Sequence, residues 1–96
     1  MNYIGSYAFY NTQIESILIP SSVIKIGSFA FYGCRQLEQF IIQPNSILET
    51  IQSYAFYCTS VKSISIPSSV TIIGESAFTF CSSLKEVLFD TPSSIE

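Results

Sequence analysis

Four copies of one short phrase constrain what this chain can become: IGSYAFY at residues 4–10, IGSFAFY at 26–32, IQSYAFY at 51–57 and IGESAFT at 73–79. The alanines of the phrase, Ala8, Ala30, Ala55 and Ala77, are spaced by 22, 25 and 22 residues, and each precedes a phenylalanine, Phe9, Phe31, Phe56 or Phe78. A unit of roughly 23 residues with one apolar side cannot bury that side alone, but it can do so by stacking on its neighbours. The expected architecture is therefore a solenoid.

The register continues beyond the phrase. Asn11, Cys34, Cys58 and Cys81 each lie three residues before an aliphatic, namely Ile14, Leu37, Val61 and Leu84. Ile17, Phe40, Ile64 or Val87 follows three residues later, and Ile19, Ile42, Ile66 or Phe89 two later again. That last alternation has the period of a strand, so both marked residues should point inward and the one between them outward. Pro20 and Pro67 supply no ladder donor and should end the strand, and the Ser-Ser or Asn-Ser pair after proline suits a turn. Gly5, Gly27 and Gly74 mark a second bend, from which Ser6, Ser28 or Glu75 is expected to start a short helical or 3₁₀ turn through the Ala-Phe pair. Gln52 stands where the other repeats have glycine, at a cost if φ is positive there. In this register repeats two and four carry an extra residue between Phe and Cys, and repeat two adds one before Pro44 and one after Ile47.

The sequence L-x-x-I-x-I, followed by P-x-S-V-x-x-I-G-x-x-A-F-x-x-C, resembles the BspA-like leucine-rich repeat of bacterial and protozoan surface proteins. Val61-x-x-Ile64-x-Ile66-Pro67-x-Ser69-Val70-x-x-Ile73-Gly74 and Leu84-x-x-Val87-x-Phe89 carry the likeness, which extends over residues 3–95. It implies a leucine-rich-repeat solenoid: a right-handed coil with short parallel strands on one face and turns with 3₁₀ or short helical segments on the other. Residues 1–96 then form one segment, with repeats at about 4–25, 26–50, 51–72 and 73–96. The resemblance also implies a cell-surface or extracellular location and the binding of a protein or glycoprotein. With no recognisable cap at either end, a segment of a longer array is expected, able to self-associate through its end strands.

Several function classes are disfavoured by composition. Seven carboxylates stand against Lys25, Arg35, Lys62 and Lys85, so there is no basic face for nucleic acid. No run approaches the roughly 20 apolar residues that cross a bilayer, and the first residues lack the form of a signal peptide, so no direct membrane insertion is expected. The chain has no histidine. Its serines therefore lack the usual base, no Gly-x-Ser-x-Gly elbow or phosphate-cradling glycine loop occurs, and the carboxylates sit mostly at outward positions. Neither an enzyme nor a cofactor is expected. Cys34, Cys58 and Cys81, 24 and 23 residues apart, should form one column headed by Asn11. A metal site or a disulfide is one use of it, and a ladder of small buried thiols bonding backbone groups at a turn is the other.

Three aromatic columns are expected. Phe9, Phe31, Phe56 and Phe78 should fill the interior, while Tyr7, Phe29, Tyr54 and Tyr10, Tyr32, Tyr57 line the outer arc, either covering the core or offering edges to a partner. The sheet face is the sharper candidate. Leu18, Ile41, Ser65 and Leu88 form its outward column, and three large apolar residues there exceed what solubility asks. The flanking columns are Glu15, Glu38, Lys62, Lys85 and Ser16, Gln39, Ser63, Glu86. Together these residues are the expected partner-binding surface; the alternative is a spacer that presents other domains and binds nothing itself.

Overall fold

A computed structural model describes residues 2–89. Eight strands follow one another around four stacked coils: β1 (Asn2–Ile4), β2 (Ser16–Ile19), β3 (Val23–Ile26), β4 (Gln39–Ile42), β5 (Thr50–Ile51), β6 (Ser63–Ile66), β7 (Ile72–Ile73) and β8 (Glu86–Phe89). All pairings are parallel. The expected L-x-x-I-x-I strands are β2, β4, β6 and β8, which pair as β2 with β4 and β6 with β8. β1, β3, β5 and β7 form a second, unbroken four-stranded sheet.

That second sheet corrects the expectation of 3₁₀ or short helical segments away from the first face, because the described residues contain no helix. Its strands are β-branched stretches such as Val23–Ile26 and Ile72–Ile73, which suit a pleated surface. Downstream, through the aromatic phrase, the chain runs in overlapping turns. The amides of Ala8, Tyr10 and Thr12 bond back to the carbonyls of Gly5, Tyr7 and Phe9 at 3.1–3.2 Å. Between them, the amides of Tyr7, Phe9 and Asn11 bond forward to Ser28, Ala30 and Tyr32 in the next coil, at 2.8–3.1 Å. A left-handed residue at every fourth position prevents helical propagation and turns alternate amides toward the neighbouring coil. Tyr7, Phe29, Tyr54 and Ser76 have φ of 63°, 61°, 62° and 56°, and Asn11, Gly33, Cys58 and Phe80 have 54°, 73°, 62° and 59°.

These backbone positions correct the cysteine register. The left-handed column is Asn11, Gly33, Cys58, Phe80, and the next is Thr12, Cys34, Thr59, Cys81. The three cysteines therefore do not form one column, and the extra residue of repeats two and four falls after Cys34 and Cys81, not before them. The amides of Leu37 and Leu84 close the added turn onto Cys34 and Cys81 at 3.1 and 3.0 Å. All three thiols are free. Cys34 and Cys81 are separated within their column by Thr59, so no two cysteines are stacked on adjacent coils there.

The padding of repeat two is also relocated. Leu48, fully buried, takes the place of Val23, and Ile47 is exposed; both extra residues thus belong to the turn at 43–47, where Asn45 has a φ of 63°. Gly27 and Gly74 at the second bend answer to close approach, not to φ. A Cβ on Gly27 would lie 2.6 Å from the Ser6 nitrogen, and one on Gly74 2.5 Å from the Ser53 nitrogen. At Gln52 the inter-coil bond to the Ile26 carbonyl is 3.0 Å, against 2.8 Å at Gly27 and 2.7 Å at Gly74, and the Gln52 Oε1 accepts the Ser28 amide at 3.2 Å. The wider step admits the side chain and uses it.

The core is the axis of the stack. Phe9, Phe31, Phe56 and Phe78 stack with centroids 5.2 Å apart and rings within 6° of parallel, and Phe40 meets Phe31 and Phe56 edge-on. Ile19, Ile26, Leu37, Leu48, Ile51, Val61 and Ile66 close around them. Phe89, expected to point inward, is 63% exposed, since among the described residues it has a neighbouring coil on one side only.

Candidate functional site

β2, β4 and β6 alternate strictly, and β8 does so as far as Leu88. Ile19, Phe40, Ile64 and Ile66 are buried, Ile17, Ile42 and Val87 are half-buried, and the residues between them face water. Pleating therefore presents the outward column that period two demands. Leu18 lies opposite Ile41 in the β2–β4 register and Ser65 opposite Leu88 in β6–β8. Leu18, Ile41 and Leu88 are 52%, 53% and 48% exposed.

Of the polar columns, the one within the strands stands where the alternation predicts, and the one before them is exposed because it lies outside the pleated residues. Ser16 pairs with Gln39 and Ser63 with Glu86, and Glu15, Glu38, Lys62 and Lys85 precede the strands, all exposed. Glu38 and Lys62 meet at 3.9 Å across coils two and three. Both side chains are more than half exposed, so the pair contributes on the order of 0.5 kcal/mol and serves to order charge along the face.

One feature of this surface has no counterpart in the sequence-based expectation. β4 and β6 lie side by side without a hydrogen-bonded ladder, although the Ser60 amide still reaches the Leu37 carbonyl at 3.1 Å just before β6 begins. The resulting seam holds a cleft of about 360 Å³ lined by Glu38, Gln39, Phe40, Ile41, Lys62 and Ser63.

The tyrosine columns form a second surface. Tyr7, Phe29 and Tyr54 stack at 5.0 and 5.1 Å, and Tyr10, Tyr32 and Tyr57 at 5.2 and 4.9 Å, all within 6° of parallel. Phe80 closes edge-on against Tyr57 at 5.2 Å. Phe29 and Tyr32 thus have both ring faces covered by neighbouring rings, while Tyr7 and Tyr10 in the first coil are stacked on one side only, an arrangement that fits a cover for the core better than a stacking platform. Desolvation, then the neighbouring Tyr32, Cys58 and Tyr54, pushes the Tyr57 phenol above its ordinary value.

Comparison with known proteins agrees with this geometry. Residues 2–96 match the family described as the BspA type leucine rich repeat region (6 copies). The pneumococcal vaccine antigen PcpA superposes with a TM-score of 0.91 at 30% identity, over 94% of this chain and 22% of that protein. A leucine-rich repeat protein from Bacteroides capillosus gives 0.80 at 33% identity, over 93% and 63%. A leucine rich cell surface protein from Faecalibacterium prausnitzii gives 0.83 at 29% identity, over 93% and 23%. The chain thus spans less than two thirds of the length of each of these proteins. Among curated proteins no sequence matches it.

Proposed function

The chain belongs to the BspA type leucine-rich repeat family, and from that membership we propose that it acts as a recognition module at a cell surface, binding a protein or glycoprotein through the outward face of β2, β4, β6 and β8. The observation that carries this reading is the column of Leu18, Ile41 and Leu88, each about half exposed on the outward strands. Large apolar side chains held outward in one line cost solubility and supply anchors for a partner. The charged column beside them supplies orientation and selectivity. The surface location is supported by the likeness to a vaccine antigen and to a leucine rich cell surface protein.

The test is a capture experiment on surface proteins and glycoproteins, with this chain beside its Leu18→Ser, Ile41→Ser, Leu88→Ser variant. Capture that disappears in the variant, with the circular dichroism spectrum unchanged, is the expected result. Equal capture by both chains would overturn the proposal and leave the spacer reading.

A further inference from the structure

The charge order on the outward face is complementary to its own reverse. Along the stack the column before the strands runs Glu15, Glu38, Lys62, Lys85, all exposed, and the apolar column runs Leu18, Ile41, Ser65, Leu88. A two-fold axis lying in this face, parallel to the strands and passing between β4 and β6, exchanges coil one with coil four and coil two with coil three. It leaves each column facing itself, as an isologous contact requires.

Glu15 then faces the partner's Lys85, and Glu38 faces the partner's Lys62. Leu18 meets the partner's Leu88, and Ile41 covers the partner's Ser65. Glu86, the remaining carboxylate on the face, falls opposite the partner's Ser16, so no like charges are set against each other. The other two-fold arrangement, with its axis along the stack, would instead place each coil against its own copy with the strands reversed, so that the charged column faces the partner's strand ends and meets no opposite charge. Only the antiparallel arrangement pairs all four columned charges.

We propose that a second copy of this chain, packed antiparallel, is a partner of the face. This rests on the reading of the face as a recognition surface and names its occupant. The affinity should be low. Four strands at about 4.8 Å spacing and four residues at about 3.3 Å span roughly 19 by 13 Å, well under the roughly 800 Å² per partner of a standard stable interface. A contact of that size, dominated by exposed charge, forms at high concentration and weakens with salt.

Sedimentation equilibrium on the chain at low ionic strength, from micromolar to millimolar concentration, tests this directly. The expected result is a mass that rises toward the dimer and falls back on adding salt. Glu15→Lys alone and Lys85→Glu alone should each weaken self-association by about tenfold or more. An equimolar mixture of the two variants should restore it, because every charge then again meets its opposite. Both positions are exposed, and circular dichroism verifies that the variants fold. A chain that stays monomeric throughout, single variants that associate like the parent, or a mixture that restores nothing would each overturn the proposal. Association through open strand edges at the ends of the stack gives the second of these results. In any such case, loss of capture by the triple serine variant would keep the recognition face with a different occupant, and unchanged capture would sink both readings.

Discussion

The Cys34 thiol donates a hydrogen bond to the Phe9 carbonyl, 2.9 Å away in the preceding coil, and Cys81 repeats the contact to Phe56 at 2.9 Å. Thr12 and Thr59 alternate with them in the same column, each hydroxyl 3.4 Å from the thiol above it. The element that recurs from coil to coil in this column is a small side chain bearing a proton or lone pair beneath the aromatic arc.

Cys34→Ala should therefore lose about 1–2 kcal/mol, from the missing bond and a small void, while Cys34→Ser keeps a donor and loses less. Urea denaturation of both variants checks the ordering. The same geometry predicts that a thiol reagent modifies half-buried Cys58 well before buried Cys34 and Cys81 in the native protein. Equal rates at all three would contradict the column assignment.

Gly27→Ala should destabilise by about 1–3 kcal/mol, since its Cβ would sit 2.7 Å from the Gly5 carbonyl carbon and 2.9 Å from the Ile4 oxygen, both backbone atoms of the neighbouring coil. Gly5→Ala meets nothing within 4 Å and should shift the midpoint by less than about 0.5 kcal/mol. Urea midpoints for the pair separate close approach from glycine's general effects on the unfolded chain.

Cys58→Gly should stabilise by up to about 1 kcal/mol. The residue holds a φ of 62°, a conformation that costs a side chain about 1–2 kcal/mol and glycine little, with part of the gain offset by glycine's greater freedom in the unfolded state. Thermal melts of the variant, with Cys34→Gly as a control outside the left-handed region, read the difference.

The Tyr57 phenol is raised above its ordinary value of 10.0 by desolvation and by its neighbours in the ladder. The neutral form is thus favoured in the fold. The stability it contributes is present in full below the unfolded phenol's pKa and is lost as pH rises through the folded value. Urea midpoints measured from about pH 9 to about pH 11 should fall, and Tyr57→Phe should flatten that fall. An unchanged slope in the variant would assign the alkaline sensitivity to other groups.

Side-chain columns were legible wherever residue type repeats. Phe31 stacks on Phe56 and Leu18 faces outward because a period of two and a spacing near 23 leave them no other place. The cysteine register was not legible, because the true backbone marker is a left-handed position filled by Asn11, Gly33, Cys58 and Phe80 in turn. No single residue type signals it, and the cysteines on either side drew the alignment off by one. The second sheet was missed because strands such as Thr50–Ile51 are too short to display alternation. For the outward face, the positions of Leu18, Ile41, Ser65 and Leu88 followed from the pattern, whereas the cleft at Glu38 and Lys62 lies where β4 and β6 make no ladder, a break that no residue pattern marks.

The two sides of the stack are laddered differently. β1, β3, β5 and β7 keep their ladder through all four coils, while β4 and β6 part on the other side. The outward face is therefore built as two separately laddered halves, β2 with β4 and β6 with β8, carried on one continuous sheet behind them. A change in the spacing between β4 and β6 would be taken up at that seam without breaking a ladder hydrogen bond within either half.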